Sequence, residues 1–548
     1  MICNIDWCYL RLWNTLIPIF PLPFLQPANV PEIMGVISVV TFLASVKEHF
    51  IISILLLFPI VLILRTIYRL YIDPLHHIPG PKLAAISHLY EFYHDVIRGG
   101  LFIWEIEKMH QEYGPIVRIN PREVHIKDPY FYDELYAPAH GWRDKDAKSV
   151  EIFSSPTALV STVDHHTHRM RRKLLTSFFS RRSIERIEPV IHESLSKFLD
   201  SLITAYEEDS VVELIDRLQA LTGHVITQYA YGENYGLHEP QNIGKGIVKV
   251  VQEGTEQIHL HRFFPIIQRF LRLIPSFFMT QLFPARAAMY DLLHGVRKKS
   301  IEVLQQKDVC TPTERTTMFH ALTAPEVPPE ERNLQRLEDE GLVLFAAGTE
   351  TTATTLGVAI FHILNDPAVL TKLRKELEQV MPTPDHLATW RELEKLPYLN
   401  GVIHEALRFS GLAMRQQRVS PTEVIKYKDY AIPPGTPVSM LQYFLHTDPA
   451  LFSDPEKFYP ERWMLAAERN ESLSRFLVTF GKGTRSCIGM NLAYAELHTA
   501  LAAIVRRFDL ELYQTTAEDI RFVRDKLLPR AKNGPWRVRV KVVGIRKD

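Results

Sequence analysis

Residues Phe480 to Gly489 read Phe-Gly-Lys-Gly-Thr-Arg-Ser-Cys-Ile-Gly, and no other stretch restricts so tightly what this chain can fold into. Gly481 and Gly483 allow a tight loop whose backbone comes close to a flat partner, where any Cβ would clash. Cys487 follows just ahead of Met490-Asn491-Leu492-Ala493-Tyr494-Ala495-Glu496-Leu497, a run with helical pattern. A sulfur at that place meets free N–H groups and the positive end of the helix dipole, which favours thiolate over thiol. A buried structural cysteine is the competing reading for a cysteine taken alone.

A second segment breaks local rules. One long helix is predicted from about Glu331 to Leu364, closed by Asn365-Asp366-Pro367. Its middle, Ala346 to Thr355, packs one glycine, Gly348, and five threonines into ten positions. Such residues each weaken a helix by several tenths of a kcal/mol, and conflict of this kind marks functional sites. A packing notch between crossing helices is the alternative. Glu405-Ala406-Leu407-Arg408 puts an acid and a base on one helix face beside Leu399, Val402, Ile403 and Ala406. Phe458-Tyr459-Pro460-Glu461-Arg462-Trp463 adds another arginine further on. His165 and His168 share a helix face, yet Arg169, Arg171, Arg172 and Lys173 around them would repel a metal and no acid completes the set. Arg169, Arg171 and Lys173 are read instead as a basic docking face for an acidic partner. Arg415 and Arg418 read about equally well as surface cations or as residues near the site. Around Asn120-Pro121-Arg122, the alternating runs Ile116 to Ile119 and Glu123 to Ile126 predict a strand pair; most of the remainder reads helical.

Lys plus Arg and Asp plus Glu both number 63, so no global charge points to a nucleic-acid partner. Cys3, Cys8, Cys310 and Cys487 have no spacing of a disulfide framework, as expected of a reduced, cytosol-facing protein. Phe50 to Leu64 is apolar or near-apolar throughout; with flanking Arg65, Tyr68, Arg69, Leu70, Tyr71 and Ile72 it reaches the roughly 20 residues that span a bilayer. More positive charge follows the segment than precedes it, which keeps the main body in the cytosol. The partition is therefore 1–33 as a leader of undefined role, 34–72 as the anchor region with its core span at about 50–72, 73–81 as a Pro-rich hinge, and 82–548 as the catalytic body. The shorter run Val36 to Val46 extends the anchor or lies at the interface.

Phe480-x-x-Gly483-x-Arg485-x-Cys487-x-Gly489 resembles the haem-binding signature of cytochromes P450, and Ala347-Gly348-Thr349-Glu350-Thr351-Thr352 resembles the oxygen-activation motif of the same family. The resemblance runs from about Ile78 to the C-terminus over four ordered motifs. It implies a mainly α fold with small β-sheets, the cytochrome P450 fold, preceded by an N-terminal transmembrane helix. It implies haem b with Cys487 as the axial ligand of its iron, Arg485 at a propionate, Phe480 beside the sulfur and Gly483 in the loop. Arg172 falls where a further propionate-binding arginine is expected, and His168 where tryptophan is common. Gly348 would leave room for dioxygen, the Thr351 hydroxyl would serve it, and Glu350 would link that point to bulk protons. Glu405, Arg408 and Arg462 become a buried structural triad. The implied reaction inserts one oxygen atom from O2 into a lipophilic substrate. Electrons come from NADPH through a separate NADPH-cytochrome P450 reductase, with cytochrome b5 as a further donor, at the endoplasmic reticulum membrane. The chain looks most similar to fungal enzymes of secondary metabolism, terpenoid or polyketide, in a trichodiene-oxygenase-like grouping. A P450-fold isomerase or dehydratase that does not use O2, and a non-catalytic haem-binding protein, are the alternatives.

Overall fold

The computed structural model describes residues 57–547, apart from positions within 268–286 and the stretch 306–316. The chain divides into Met1–Ile72 and Asp73–Asp548. In the first unit a helix over 57–67 passes into a wider helical turn, Tyr68–Ile72. Its apolar side chains are exposed, Leu57, Phe58 and Ile60 to Leu64 among them. The leader and the anchor up to residue 56 lie outside the described residues. Among those described, the helix long and apolar enough to cross a membrane is Leu334–Asn365, which is mostly buried in the second unit.

The second unit is mainly helical. Its strands and site-bearing helices, in chain order, are β1 (Ile116–Arg118), β2 (Val124–Ile126), β3 (Asp144–Lys145), α1 (His165–Thr176), α2 (Glu188–Glu207), β4 (Val212–Glu213), α3 (Leu214–Tyr231), α4 (Gly246–Glu256), α5 (Leu334–Asn365), α6 (Pro397–Phe409), β5 (Arg418–Val419), β6 (Ile425–Tyr427), β7 (Tyr430–Ile432), β8 (Pro437–Ser439), α7 (Glu461–Glu468), α8 (Met490–Arg507), β9 (Phe508–Leu512), β10 (Arg524–Lys526), β11 (Leu528–Arg530) and β12 (Arg539–Ile545). The largest sheet has the order β1-β2-β8-β5-β3. The predicted strand pair is its outer hairpin, with Ile116 opposite Ile126. The segment 73–81 lies along β1: Arg118 N–H donates to the Pro79 carbonyl at 2.8 Å, and a Cβ on Gly80 would strike the Arg118 carbonyl at 2.5 Å.

α5 runs through the largest apolar core, with Phe345, Leu356, Val358, Phe361 and Ile363 buried. It starts at Leu334, three residues later than predicted, because the Asn333 side chain caps it by accepting the Arg336 N–H at 2.9 Å. The threonine-rich middle stays helical within this packing, and its hydroxyls bond back one turn: Thr349 to Phe345 O (2.7 Å), Thr351 to Ala347 O (2.8 Å) and Thr355 to Thr351 O (3.1 Å). α3 crosses α5 closely. Thr222 Oγ1 donates to the Thr349 carbonyl at 2.7 Å, and a Cβ on Gly357 would meet Ile215 at 2.6 Å.

Candidate active site

The Cys487 loop is shaped by its glycines. Gly481 and Gly483 take φ of 66° and 70°, left-handed values that disfavour a side chain. A Cβ on Gly483 would also lie 2.2 Å from the Tyr136 carbonyl oxygen, so this glycine admits the protein's own backbone; the Cβ direction of Gly481 meets only Ser486 Cα at 3.9 Å. The loop closes where Cys487 N–H donates to the Phe480 carbonyl at 2.7 Å. The Phe480 ring packs against Tyr494, centroids 5.2 Å apart. Cys487 keeps accessible surface where the loop meets the first turn of α8. Burial pushes the thiol pKa up, while the Gly489 N–H and the Arg172 guanidinium act in the thiolate's favour.

Beside the loop lies a nest of cations. Arg485 donates to the carbonyls of Thr162 (2.7 Å) and Val163 (2.5 Å); burial and Arg418 hold its pKa down to about 10. The β3–β5 register sets Lys145 directly opposite Arg418, and like charges facing one another across strands destabilise a sheet. Arg418 is buried, with its guanidinium 4.9 Å from the Tyr136 ring centroid. Lys145 donates to the Val160 carbonyl, and burial and Arg418 push its pKa well below its ordinary value. His168 is buried with Nδ1 unpaired, held neutral with a pKa of about 2 by burial and by Arg485, Lys145, Arg172 and Arg418. Among the described residues no carboxylate forms an ion pair with Arg485, Arg418 or Lys145. Buried cations are stable beside anions, so this nest fits a ligand with acidic groups seated next to Cys487.

α8, which begins just after Cys487, packs against α5. The elements carrying Cys487 and Thr351 are thus neighbours. In the middle of α5 only Ala347 and Thr351 are exposed, one turn apart. The carboxyl of Glu350 is buried and paired with Arg530 of β11 at 2.8 Å; burial pushes its pKa up and Arg530 opposes that.

Glu405 is the hub of a separate buried network. It accepts from Arg408 Nε and Nη2 (3.0 and 2.9 Å), Trp463 Nε1 (3.0 Å) and the Tyr459 N–H (2.9 Å), and pairs with Arg462 Nε at 3.1 Å. Arg408 also donates to the carbonyls of His446, Pro455 and Lys457. The network ties α6 to the Phe458-to-Trp463 segment.

A family model described as Cytochrome P450 matches residues 83–535. The chain belongs to the cytochrome P450 family. It is similar to the cytochrome P450 monooxygenase TRI4 of Trichoderma arundinaceum, 41% identical over 87% of this chain and 93% of that one. The conidiogenone synthase PchP450 of Penicillium rubens is 42% identical over 86% of this chain and 96% of that protein, and the monooxygenase aflU of Aspergillus parasiticus 40% identical over 89% and 97%. A crystal structure of a cytochrome P450, CYP102L1, has the same fold: TM-score 0.65 at 17% identity, covering 80% of this chain and 94% of that one. The protein is a P450 monooxygenase, and its family implies a haem-thiolate cofactor, which Cys487 and the cation nest fit.

Several residues of this P450 have neighbours that the sequence did not suggest. The close approach at Gly348 is toward α3, where a Cβ would meet Ile226 at 2.9 Å, so the notch serves helix crossing. Arg172 braces the cysteine loop by donating to Ser486 O at 2.6 Å and Ser486 Oγ at 3.3 Å. Arg171 is no part of a docking face: it forms a forked pair with Glu331 (Nη2–Oε1 2.9 Å) and donates to Thr162 Oγ1. Arg169 and Lys173 are exposed and, with His166, Met170, Arg172 and Thr484, line an open groove of about 640 Å³. Arg415 is a buried structural cation paired with Glu91 (2.5 Å) and Glu123 (3.0 Å). Lys145, Arg418 and Arg530 join the site only through strand pairing, which no short motif encodes.

Proposed function

We propose that this monooxygenase is membrane-anchored, binds haem b through the Cys487 thiolate, and oxidises a lipophilic terpenoid or polyketide of fungal secondary metabolism. When bound, the haem supplies the activation of O2 and the insertion of one oxygen atom, with the thiolate as its electron-rich ligand. Arg485, Arg418, Lys145 and His168 hold and orient the haem carboxylates, and Arg172 fixes the loop that presents the sulfur. Thr351 serves the oxygen side: its side chain is exposed in the middle of α5, and its hydroxyl donates to the Ala347 carbonyl at 2.8 Å. Glu350 supplies the proton-conducting acid. Glu405, Arg408 and Arg462 keep the cysteine-side core in place.

The single observation that carries this reading is a nest of buried and half-buried basic side chains, with no carboxylate ion pair to Arg485, Arg418 or Lys145 among the described residues, beside a solvent-accessible cysteine. Exposed apolar side chains along 57–67 and the apolar run before them support the anchor, the excess of positive charge after that run supports a cytosol-facing body, and the membrane of this reading is the endoplasmic reticulum. Arg169 and Lys173 support docking of an acidic NADPH-cytochrome P450 reductase, with cytochrome b5 as second donor.

The test is the reduced, carbon-monoxide difference spectrum of wild type beside Cys487→Ser in membranes. A red-shifted Soret band that the variant lacks is the expected result; folded, haem-containing wild type without that band refutes Cys487 as ligand. Turnover of a lipophilic substrate that requires O2 and NADPH separates the monooxygenase from an isomerase or dehydratase.

A further inference from the structure

The acid of α5 does not face the threonine it is read as serving. Thr351 Oγ1 donates to Ala347 O, while the Glu350 carboxyl is paired with Arg530 Nη2 at 2.8 Å. The same arginine reaches a second carboxylate. Its Nε donates to Glu256 Oε1 at 2.8 Å and its Nη2 to Thr255 Oγ1 at 2.7 Å, both on α4. Arg530 is 1% exposed, whereas the side chain of Glu256 is 34% exposed, so one buried guanidinium links an internal acid to one that reaches the surface.

The β10–β11 hairpin that supplies Arg530 is itself held in place. Its turn residue, Leu527, has a φ of 74°, a left-handed conformation that costs a leucine about 1–2 kcal/mol. Its N–H donates to Asp525 Oδ1 at 3.0 Å and its carbonyl accepts the Ala413 N–H at 3.0 Å. Lys526 adds a bond to the Glu256 carbonyl at 2.7 Å. A strained turn persists only where its surroundings over-determine it, and here they fix where the guanidinium stands relative to α4 and α5.

We propose that Arg530 is the positioning residue of proton delivery, a latch that holds the Glu350 carboxyl on the side of α4 and makes its service to Thr351 depend on how α4 and the C-terminal hairpin are seated. The proposal rests on the reading of Glu350 as the proton-conducting acid. Displacing α4 loosens the Glu256 end of the latch and shifts the guanidinium between its two carboxylates. The charged groups that meet Glu350 are Arg530 from the hairpin and, beyond it, Glu256 from α4.

Full-length, haem-loaded protein in membranes is compared as wild type, Glu350→Gln, Arg530→Met, Arg530→Lys and the E350Q/R530M double variant. Infrared difference spectra read the carbonyl band of a protonated carboxyl. Peroxide and product per NADPH are read with a sesquiterpene hydrocarbon that the wild type oxidises. R530M is expected to gain a protonated-carboxyl band that the double variant lacks. Its product per NADPH is expected to fall roughly tenfold or more, like that of E350Q, with the double variant no worse than either single one. R530K, which keeps the charge without the fork, carries the same comparison if R530M loses its carbon-monoxide band. Wild-type coupling and no new band in the arginine variants, beside an uncoupled E350Q, overturns the latch and leaves the acid standing. Wild-type coupling in E350Q overturns the acid role, and the proposal with it, even where the infrared band appears.

Discussion

Replacing Glu405 with leucine removes the anion on which two buried arginines converge. Glu405 is 0% exposed, Arg408 4% and Arg462 6%, so water does not screen the loss. Stranding a partner of a buried ion pair costs about 3–5 kcal/mol. The three carbonyls around Arg408 soften its share, whereas the Trp463 indole and the Tyr459 N–H lose an acceptor outright, which returns the sum to the upper half of that range. At about 2.1 cal/mol/K per residue, a body of roughly 480 residues changes its melting temperature by about 1 °C per kcal/mol, so a fall of about 4–5 °C is expected. The assay is thermal unfolding of detergent-solubilised holoprotein, followed by the Soret band and by far-ultraviolet circular dichroism together. Glu193→Gln, which removes an exposed α2 pair with Lys197 at 2.7 Å, is the control, at under about 1 kcal/mol. Should Glu405→Leu melt within the control's range, the argument from buried charge is wrong. Replacing Arg408 and Arg462 by methionine in the same chain is expected to restore much of the stability, since an ion network exchanged for apolar side chains is often close to neutral.

Three further outcomes follow from the same geometry. Thr351→Ala is expected to divert NADPH-derived electrons to peroxide and lower product per NADPH roughly tenfold or more, with Thr351→Ser retaining most of the coupling; a fully coupled alanine variant would remove the hydroxyl from the chemistry. Arg418→Met should act with opposite sign on the two forms of the protein: relief of the Lys145 repulsion stabilises the haem-free form, while haem leaves the loaded form faster, measured by thermal melts and by haem transfer to an acceptor protein. His446 is buried and neutral, with its Nε2 accepting the Val478 N–H at 3.0 Å and its pKa held down to about 3 by burial and Arg408. Its folded value lies below the unfolded value of about 6.5, so its contribution is fully present above that pH. It is lost as the pH falls toward 3, by about 1.4 kcal/mol per unit; denaturant titrations from pH 7 to 5 should show a shallower slope for His446→Gln.

Local chemistry was legible in the sequence because it lies within one loop or one helical turn. The glycines before Cys487, the helix after it, the hydroxyls of α5 and the Glu405–Arg408 spacing are set by residues only a few positions apart, where backbone geometry leaves little freedom. The composition that breaks helix propensity at 346–355 pointed to the site for the same reason. Charges and glycines that meet distant elements were not legible. Lys145 faces Arg418 only because β3 pairs with β5 in one register, and Arg530 reaches Glu350 only because β11 lies beside α4 and α5. Gly348 and Gly483 were visible as glycines, but which neighbour each one admits, Ile226 or the Tyr136 carbonyl, was decided by helix crossing and loop packing. Arg171 and Arg172 are adjacent in sequence on α1, yet one pairs with Glu331 and the other with Ser486. Adjacent helical residues point about 100° apart, so a motif fixes which side chains exist, and only tertiary packing decides what each of them meets.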